Sequence, residues 1–409
     1  MKKLILFILP MFLYACLGGV HYDLPVDDRR VYLGLENMTK WHSGKYKGKR
    51  CVLVTNHSGA DRYLETNVAL LNNKGIKVIA LIAPEHGIYG YQNEYSDETS
   101  MRGAGGMLVY NMHKLSNAQL KKILTSGDFV AFDIQDMGMR CYTYITNLKF
   151  VMDALNGTST ELVVLDRPNP IGFLKEDGPF LDNRFTAKYI TAFPAPFIYN
   201  MTIGEAARYY KGEYAKDVRL TVFPMVGYKR NMFYHDTGMP WVPPSPNLPT
   251  YKSAIVYSGV VLMECINLSL GRGTPMPFEY IGAPWIEPVR FCKDLEKLGL
   301  EAFKFRPVYF KPLMRRYSGQ VCGGAHIIYT GKKFIPTEVS YKICAYLLKN
   351  YPQARWDIFQ GKYEIDYMAS TDKFRESIEK GLSFKEYQKL ILPDVKSFKK
   401  KRSKYTLYR

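Results

Sequence analysis

Residues 78–90 read VIALIAPEHGIYG: six apolar residues, a proline, then Glu85 and His86 side by side, then Gly87. A continuous apolar run of this length fits a strand covered on both faces, the pattern of a parallel sheet. Pro84 and Gly87 flank the ionisable pair, and both residue types favour a turn over further strand. The stretch therefore predicts a buried strand that delivers a carboxylate and an imidazole to the carboxyl end of a sheet. Ligands of such sheets bind there.

The same grammar recurs on both sides. CVLVT (51–55) runs into NHSG, FVAFDI (129–134) into QDMGMR, and ELVVLD (161–166) into RPNPIG. Between these runs lie helical spacings. One covers 61–73 with Asp61 as N-cap, one covers 116–124 with a Ser116/Gln119 capping box, and one covers 142–157 and ends at Gly157. Strands alternating with helices imply right-handed crossovers. The expected fold is α/β, with a Rossmann-like, mostly parallel sheet domain over residues 30–288. Two loops rich in Pro and Gly, 240–250 and 271–285, exclude regular helix there. From residue 289 the patterns mix, with AHIIYT as a strand and VSYKICAYLLKNY as a helix. A smaller α+β C-terminal domain, 289–409, is expected, closing on the basic tail KSFKKKRSKYTLYR as a solvated segment.

Composition fixes the broad class. The chain has 409 residues, 47% hydrophobic and 23% charged, which is globular. Its start, MKKLILFILPMFLYAC, has two lysines and then an apolar run too short to span a bilayer. It reads as a signal peptide over 1–16, and Leu13-Tyr14-Ala15-Cys16 resembles a lipobox that makes Cys16 the lipidated first residue of the mature chain. An ordinary cleaved signal or a short membrane anchor is the alternative. Either reading places the protein in the cell envelope, periplasmic or anchored to the membrane by its lipid. The formal charge of +18 then points to anionic envelope polymers, lipid surfaces or an acidic substrate rather than nucleic acid. Seven cysteines occur without framework spacing.

Several reaction classes lack their signatures. No phosphate-binding loop, G-x-S-x-G elbow or H-E-x-x-H pair occurs, and GAGG (103–106) lacks the third glycine and precedes its apolar run. No cofactor is expected. A metal site has only His57, His86 and Asp133 to draw on, and no spacing demands one. What remains is carboxylates with polar partners at strand ends. Glu85 is the leading candidate for a general acid, with His86 orienting it or touching substrate; capping a helix or pairing with an arginine is its bland alternative. Asp133, Gln135 and Asp136 follow the third strand, with Arg140 suited to a carboxylate and Tyr142 to a sugar face. Helix capping by Asp136 and simple packing by the tyrosines are the alternatives there. Asn56, Asp166, Arg167, Asn169, Asn247, Glu264, Asn267 and Arg272 complete a polar set rich in amides, arginine and carboxylates. That set suits carbohydrate better than peptide or nucleotide.

The segments LVTNHSGADR, LIAPEHGIYG, FDIQDMGMRCYTYI, VLDRPNPIG, EDGPFL, MTIGEAA, WVPPSPNLPT, LSLGRGTPMPFEYIGAPW and the terminal TLYR, in that order, resemble the NamZ-type exo-β-N-acetylmuramidases. The resemblance spans almost the whole chain from about residue 34. It implies hydrolysis of β-linked N-acetylmuramic acid from the non-reducing end of peptidoglycan fragments. It also implies a Rossmann-like catalytic domain with a smaller C-terminal domain, and it maps the glutamate of the P-E-H-G motif onto Glu85. A second carboxylate, with Asp136 and Glu264 as candidates, or the substrate's own acetamido oxygen is expected to meet the positive charge growing on the anomeric carbon, and Arg140 or Arg272 to hold the lactyl carboxylate. The chain departs from the family pattern at Cys265, Ile266 and Leu270, and at Met139 and Cys141. A non-catalytic lipoprotein that binds peptidoglycan is the alternative function, and a nucleotide-dependent enzyme a more distant one.

Overall fold

The computed structural model of the chain describes residues 31–92, 100–103, 106–187 and 189–409. Residues 1–16 with Cys16, and residues 104 and 105 of the GAGG stretch, lie outside the described residues.

Seven strands form the main sheet: β1 Arg50–Thr55, β2 Lys77–Ala83, β3 Ser100–Arg102, β4 Leu108–Asn111, β5 Phe129–Asp133, β6 Glu161–Leu165 and β7 Arg219–Phe223. Their order is β3-β4-β2-β1-β5-β6-β7, parallel throughout except for β3 on β4. The continuous apolar runs have the expected cause. Val52, Val54, Val130, Phe132, Leu162 and Val164 enter one core, while Cys51, Leu53, Phe129, Ala131, Val163 and Leu165 enter a second. Alternate residues thus face opposite sides of the sheet, and both sides are covered.

Helices α1 Gly34–Asn37, α2 Asn67–Asn73, α3 Asn117–Leu124, α4 Tyr144–Leu155, α5 Ile203–Glu213 and α6 Tyr251–Val260 accompany this sheet. The Ser116/Gln119 capping box forms as expected. Helix α2 starts later than its spacing suggests, with Thr66 as N-cap. The Asp61 carboxylate instead accepts the backbone N–H groups of Tyr63 and Glu65, so it closes a turn.

A second sheet, β8 Tyr280–Ala283, β9 Phe303–Phe310 and β10 Cys322–Tyr329, is antiparallel in the order β8-β10-β9. With it come α7 Pro288–Glu296, α8 Pro336–Asn350, the hairpin β11 Ile358–Phe359 and β12 Lys362–Tyr363, and helices α9 Glu364–Ala369, α10 Lys373–Glu379 and α11 Phe384–Arg402. Because β8 pairs with β10, residues 280–283 sit with the second sheet, ahead of the break at residue 288 read from composition.

The basic tail is solvated on its lysine face only: Lys396, Lys399, Lys400, Lys401 and Lys404 are exposed, while Phe398, Arg402 and Tyr408 are buried. Residues 396–402 extend α11, and the last residues return to the first sheet. Arg402 forms a buried ion pair with Glu176. Glu205 accepts the backbone N–H groups of Leu407 and Tyr408, and the Tyr408 hydroxyl donates to Asp166 at 2.5 Å. Charge counting sees only the lysines; Tyr405, Leu407 and Tyr408 supply the packing that holds the segment down.

The six described cysteines are free and buried. Among the described residues, no helix is long and apolar enough to cross a membrane.

Candidate active site

Strand order reverses at β1: β2 and β4 lie to one side and β5, β6 and β7 to the other. The loops leaving the carboxyl ends of β1, β2, β5 and β6 gather at that reversal, the position where such sheets open a crevice. Glu85 follows β2 by two residues. His86 and Gly87 both adopt left-handed backbone, with φ of 71° and 73°, which turns the chain sharply after the carboxylate. The His86 ring is tied down by its Nδ1, 2.7 Å from the Gln92 carbonyl.

Thr143, at the N-terminus of α4, donates its hydroxyl to Glu85 Oε2 at 2.8 Å. The next residue braces the loop from behind. The Tyr144 hydroxyl donates to the Pro244 carbonyl at 2.6 Å, accepts from Asn56 Nδ2 at 3.0 Å and lies 3.3 Å from the Glu85 carbonyl oxygen. His57 Nε2 lies 2.6 Å from the Pro243 carbonyl, and burial lowers the imidazole's pKa, so a neutral ring donates there. The proline-rich loop 240–250 is thereby fastened to the loops after β1 and β2.

Glu85, His86, Tyr142 and Thr143 form one wall of a cavity of about 150 Å³; Tyr257, Glu264, Arg272, Phe278, Arg315 and Met368 form the facing wall. A neighbouring cavity of about 450 Å³ shares Glu264, Arg272, Arg315 and Met368 and adds Arg316 and Glu364. The two make one cleft between the strand-end loops and the C-terminal elements. The Tyr142 hydroxyl is buried at this wall, with no hydrogen-bond partner within distance and angle among the described residues. Its ring meets Tyr144 and Tyr257 edge-on, and Tyr257 meets Phe278 likewise. Glu264 accepts from Arg272 Nε at 2.6 Å, and the Arg272 guanidinium lies 4.8 Å over the Phe278 ring. Burial opposes the Arg272 charge, but Glu264 outweighs it and raises the pKa above the ordinary value.

Glu85, His86, Tyr142, Glu264 and Arg272 thus share the cleft. The other candidates do not line it. Asp136 turns away: it accepts from the Tyr199 hydroxyl and, at 2.8 Å, from the Gly138 backbone, and burial pushes its pKa up to about 6. Arg140 is fully buried and donates to the carbonyls of Pro179, Ala195 and Ala369, so it fastens α9 to the first domain and holds no substrate carboxylate. Asp133 and Arg167 form a buried ion pair. Asp166 is held by Thr202, Gly204 and Tyr408, and burial pushes its pKa up to about 7. Gln135 donates to the carbonyls of Asp136 and Pro168. Asn169 bridges Ile171 and Met201, and Asn267 bridges Gln353 and Arg355. Asn56 braces Tyr144, and Asn247 is buried behind Ser245, a lining residue. His57, His86 and Asp133 each have a different protein partner, and among the described residues no group of three potential metal ligands converges.

Thr143, Tyr257, Phe278, Arg315, Glu364 and Met368 escape sequence reasoning. Thr143 and Phe278 stand inside quoted motifs without an ionisable group to mark them. The others come from helices or basic loops of ordinary appearance.

Similarity to known proteins extends over both halves of the chain. The N-terminal family model of exo-β-N-acetylmuramidase NamZ matches residues 51–252, and the C-terminal one matches residues 255–408. Peptidoglycan β-N-acetylmuramidase NamZ of Bacillus subtilis (strain 168) is 34% identical over 387 residues, covering 93% of this chain and 92% of that protein. Two crystal structures of DUF1343 family proteins from Bacteroides fragilis NCTC 9343 share the fold. One has a TM-score of 0.83 at 28% identity, covering 94% of this chain and 100% of that one. The other has a TM-score of 0.70 at 27% identity, covering 93% and 99%. With both family models in place and the P-E-H-G glutamate standing in the cleft they flank, the chain belongs to the NamZ family of exo-β-N-acetylmuramidases.

Proposed function

We propose that this chain hydrolyses the terminal β-linked N-acetylmuramic acid from the non-reducing end of peptidoglycan fragments, with Glu85 as the general acid. The observation that carries the reading is the Glu85 carboxyl at the cavity wall, held at one oxygen by Thr143 and with no protein hydrogen bond to Oε1 among the described residues. Glu85 protonates the leaving glycosidic oxygen as the bond to the anomeric carbon lengthens. Positive charge then grows on that carbon and the ring oxygen, water supplies the new bond at the anomeric carbon, and the proton it loses restores the enzyme's acid. Glu264 is the other carboxylate in the same cavity and meets that charge, its own charge balanced in the ground state by Arg272. Tyr142, Tyr257 and Phe278 supply aromatic surface for a sugar.

The direct test is to incubate the purified protein with a muramic acid–N-acetylglucosamine disaccharide and to follow free N-acetylmuramic acid. Release of the sugar supports hydrolysis. Saturable binding without release would make the chain a peptidoglycan-binding protein instead. Glu264→Gln is expected to lower kcat about 10²- to 10³-fold, with a modest fall in melting temperature because Arg272 loses its counter-charge but keeps an amide oxygen to donate to.

We also propose an envelope location, with Cys16 lipidated; the support is the charged, apolar and small-residue pattern of residues 1–16. Mass spectrometry of the mature N-terminus is expected to find a diacylglyceryl cysteine. An unmodified terminus beyond residue 16 would remove the anchor.

A further inference from the structure

N-acetylmuramic acid differs from N-acetylglucosamine by a lactyl ether that carries a carboxylate, so the glycosidase reading requires a cation in the cleft to bind it. Of the four arginine candidates for this role, three already have protein partners. Arg140 is buried against carbonyls. Arg272 is paired with Glu264. Arg316 is paired with Asp357. Arg315 lines both parts of the cleft, is exposed, and has no ion pair or side-chain hydrogen bond among the described residues.

The segment that presents Arg315 is held rigidly on each side. Arg315 and Tyr317 both have left-handed backbone, at φ of 60° and 59°, a conformation that costs energy for a residue with a Cβ. Arg316, between them, is anchored by its ion pair with Asp357. The Tyr317 hydroxyl donates to the Asn267 carbonyl at 3.0 Å and accepts from Trp285 Nε1 at 3.1 Å. Before Arg315, the backbone of Leu313 and Met314 comes so close to Gly273 that a Cβ there would sit 2.9 and 2.8 Å from their nitrogens. The glycine of the G-R-G-T turn thus lets this C-terminal segment rest on the wall of the cleft. Strain held in place by three anchors points to a side chain whose position matters.

We propose that Arg315 is the specificity residue for the lactyl carboxylate, reading the acid that distinguishes muramic acid from other N-acetylhexosamines. The inference rests on the proposed hydrolysis and adds the residue that selects its substrate. A guanidinium fork matches a carboxylate at two points, and a charge-assisted pair is the strong form of hydrogen bond.

The test compares 4-nitrophenyl N-acetyl-β-muramide with its lactyl amide, which keeps the shape and removes the charge. It uses wild type, Arg315→Gln and Arg315→Gly, and measures both turnover and calorimetric binding of free N-acetylmuramic acid and its amide. Wild type is expected to favour the acid about 10- to 100-fold in kcat/KM and to bind the free acid more tightly than its amide. Both variants are expected to lose that margin on the acid, chiefly through KM, while their rates on the amide, which offers only a neutral acceptor, fall far less. The glycine variant, which accepts left-handed backbone freely, is expected to melt no lower than wild type. Equal losses on acid and amide, or a wild type that does not prefer the acid, would overturn the assignment. If wild type turns over neither compound, the proposed hydrolysis fails. The binding arm then decides Arg315 by itself: acid-selective binding abolished in both variants upholds it, and unchanged binding ends it.

Discussion

Glu85→Gln is expected to lower kcat on a muramic acid–N-acetylglucosamine disaccharide about 10²- to 10⁴-fold, with KM and melting temperature close to wild type. The amide has the size and shape of the carboxyl and can keep the contact with Thr143 Oγ1, 2.8 Å from Glu85 Oε2. The loop around it is fixed by backbone and by other side chains, chiefly His86 with Gln92 and Tyr144 with Pro244. What disappears is the transferable proton. A sugar alkoxide is a poor leaving group and needs that proton as the bond breaks. A nitrophenolate is a good one and needs it far less. The loss should therefore shrink markedly on a 4-nitrophenyl muramide, a contrast that separates a missing acid from a misfolded site. Equal losses on both substrates would assign Glu85 to binding or positioning. Wild-type rates on the disaccharide would remove it from the mechanism.

Glu85 was legible because everything that defines it is local. The apolar run of β2, the proline and the glycine are neighbours in the chain, and together they state where a strand ends and what it exposes. The sheet was legible for the same reason. Arg140 was not, because its partners are backbone carbonyls at residues 179, 195 and 369, and a carbonyl leaves no mark on a sequence. A lone arginine after a D-I-Q-D stretch looks like a ligand-binding residue until the fold wraps three segments around it. Asp136 was obscured similarly by Tyr199, and the basic tail by a tyrosine hydroxyl that reaches Asp166 from 242 positions away. Arg315 carried no signal beyond one basic dipeptide. Its meaning comes from the pairing of every arginine around it.

Several quoted motifs prove to be fastenings between the two halves rather than chemistry. EDGPFL contributes Glu176 to Arg402 and Asp177 to Thr337. MTIGEAA contributes Glu205, which receives the backbone of the terminal TLYR. The cleft lies between those halves, and these contacts tie together the elements that carry its lining.

The largest stability effect is expected at Arg167. Its Nε and one terminal nitrogen bind Asp133 Oδ1 and Oδ2 at 2.6 and 2.9 Å, and the other terminal nitrogen binds the Ala60 carbonyl at 3.0 Å. Asp133 also accepts from Asn67 at 2.8 Å, and its side chain is 0% exposed. One ion pair thus joins the ends of β5 and β6 to the loop after β1, directly beneath the reversal of strand order that opens the cleft. Arg167→Met keeps the unbranched stem, removes the guanidinium and strands the aspartate charge in the core. The expected cost is about 3–5 kcal/mol, a fifth or more of an ordinary domain's stability. For a domain of this size that is a fall in melting temperature of about 6–20 °C. Arg167→Lys should recover only part of it, since a point charge cannot fork across both oxygens. Arg167→Met combined with Asp133→Leu should recover most of it, because the stranded charge is gone. A double variant as unstable as Arg167→Met would show that the geometry of the two side chains, rather than an unpaired charge, sets the cost. A single variant that melts with wild type would mean that the pair is not what holds these loops. In the proposed scheme neither side chain touches substrate, so assays well below the melting transition should find kcat nearly intact, in contrast to Glu85→Gln.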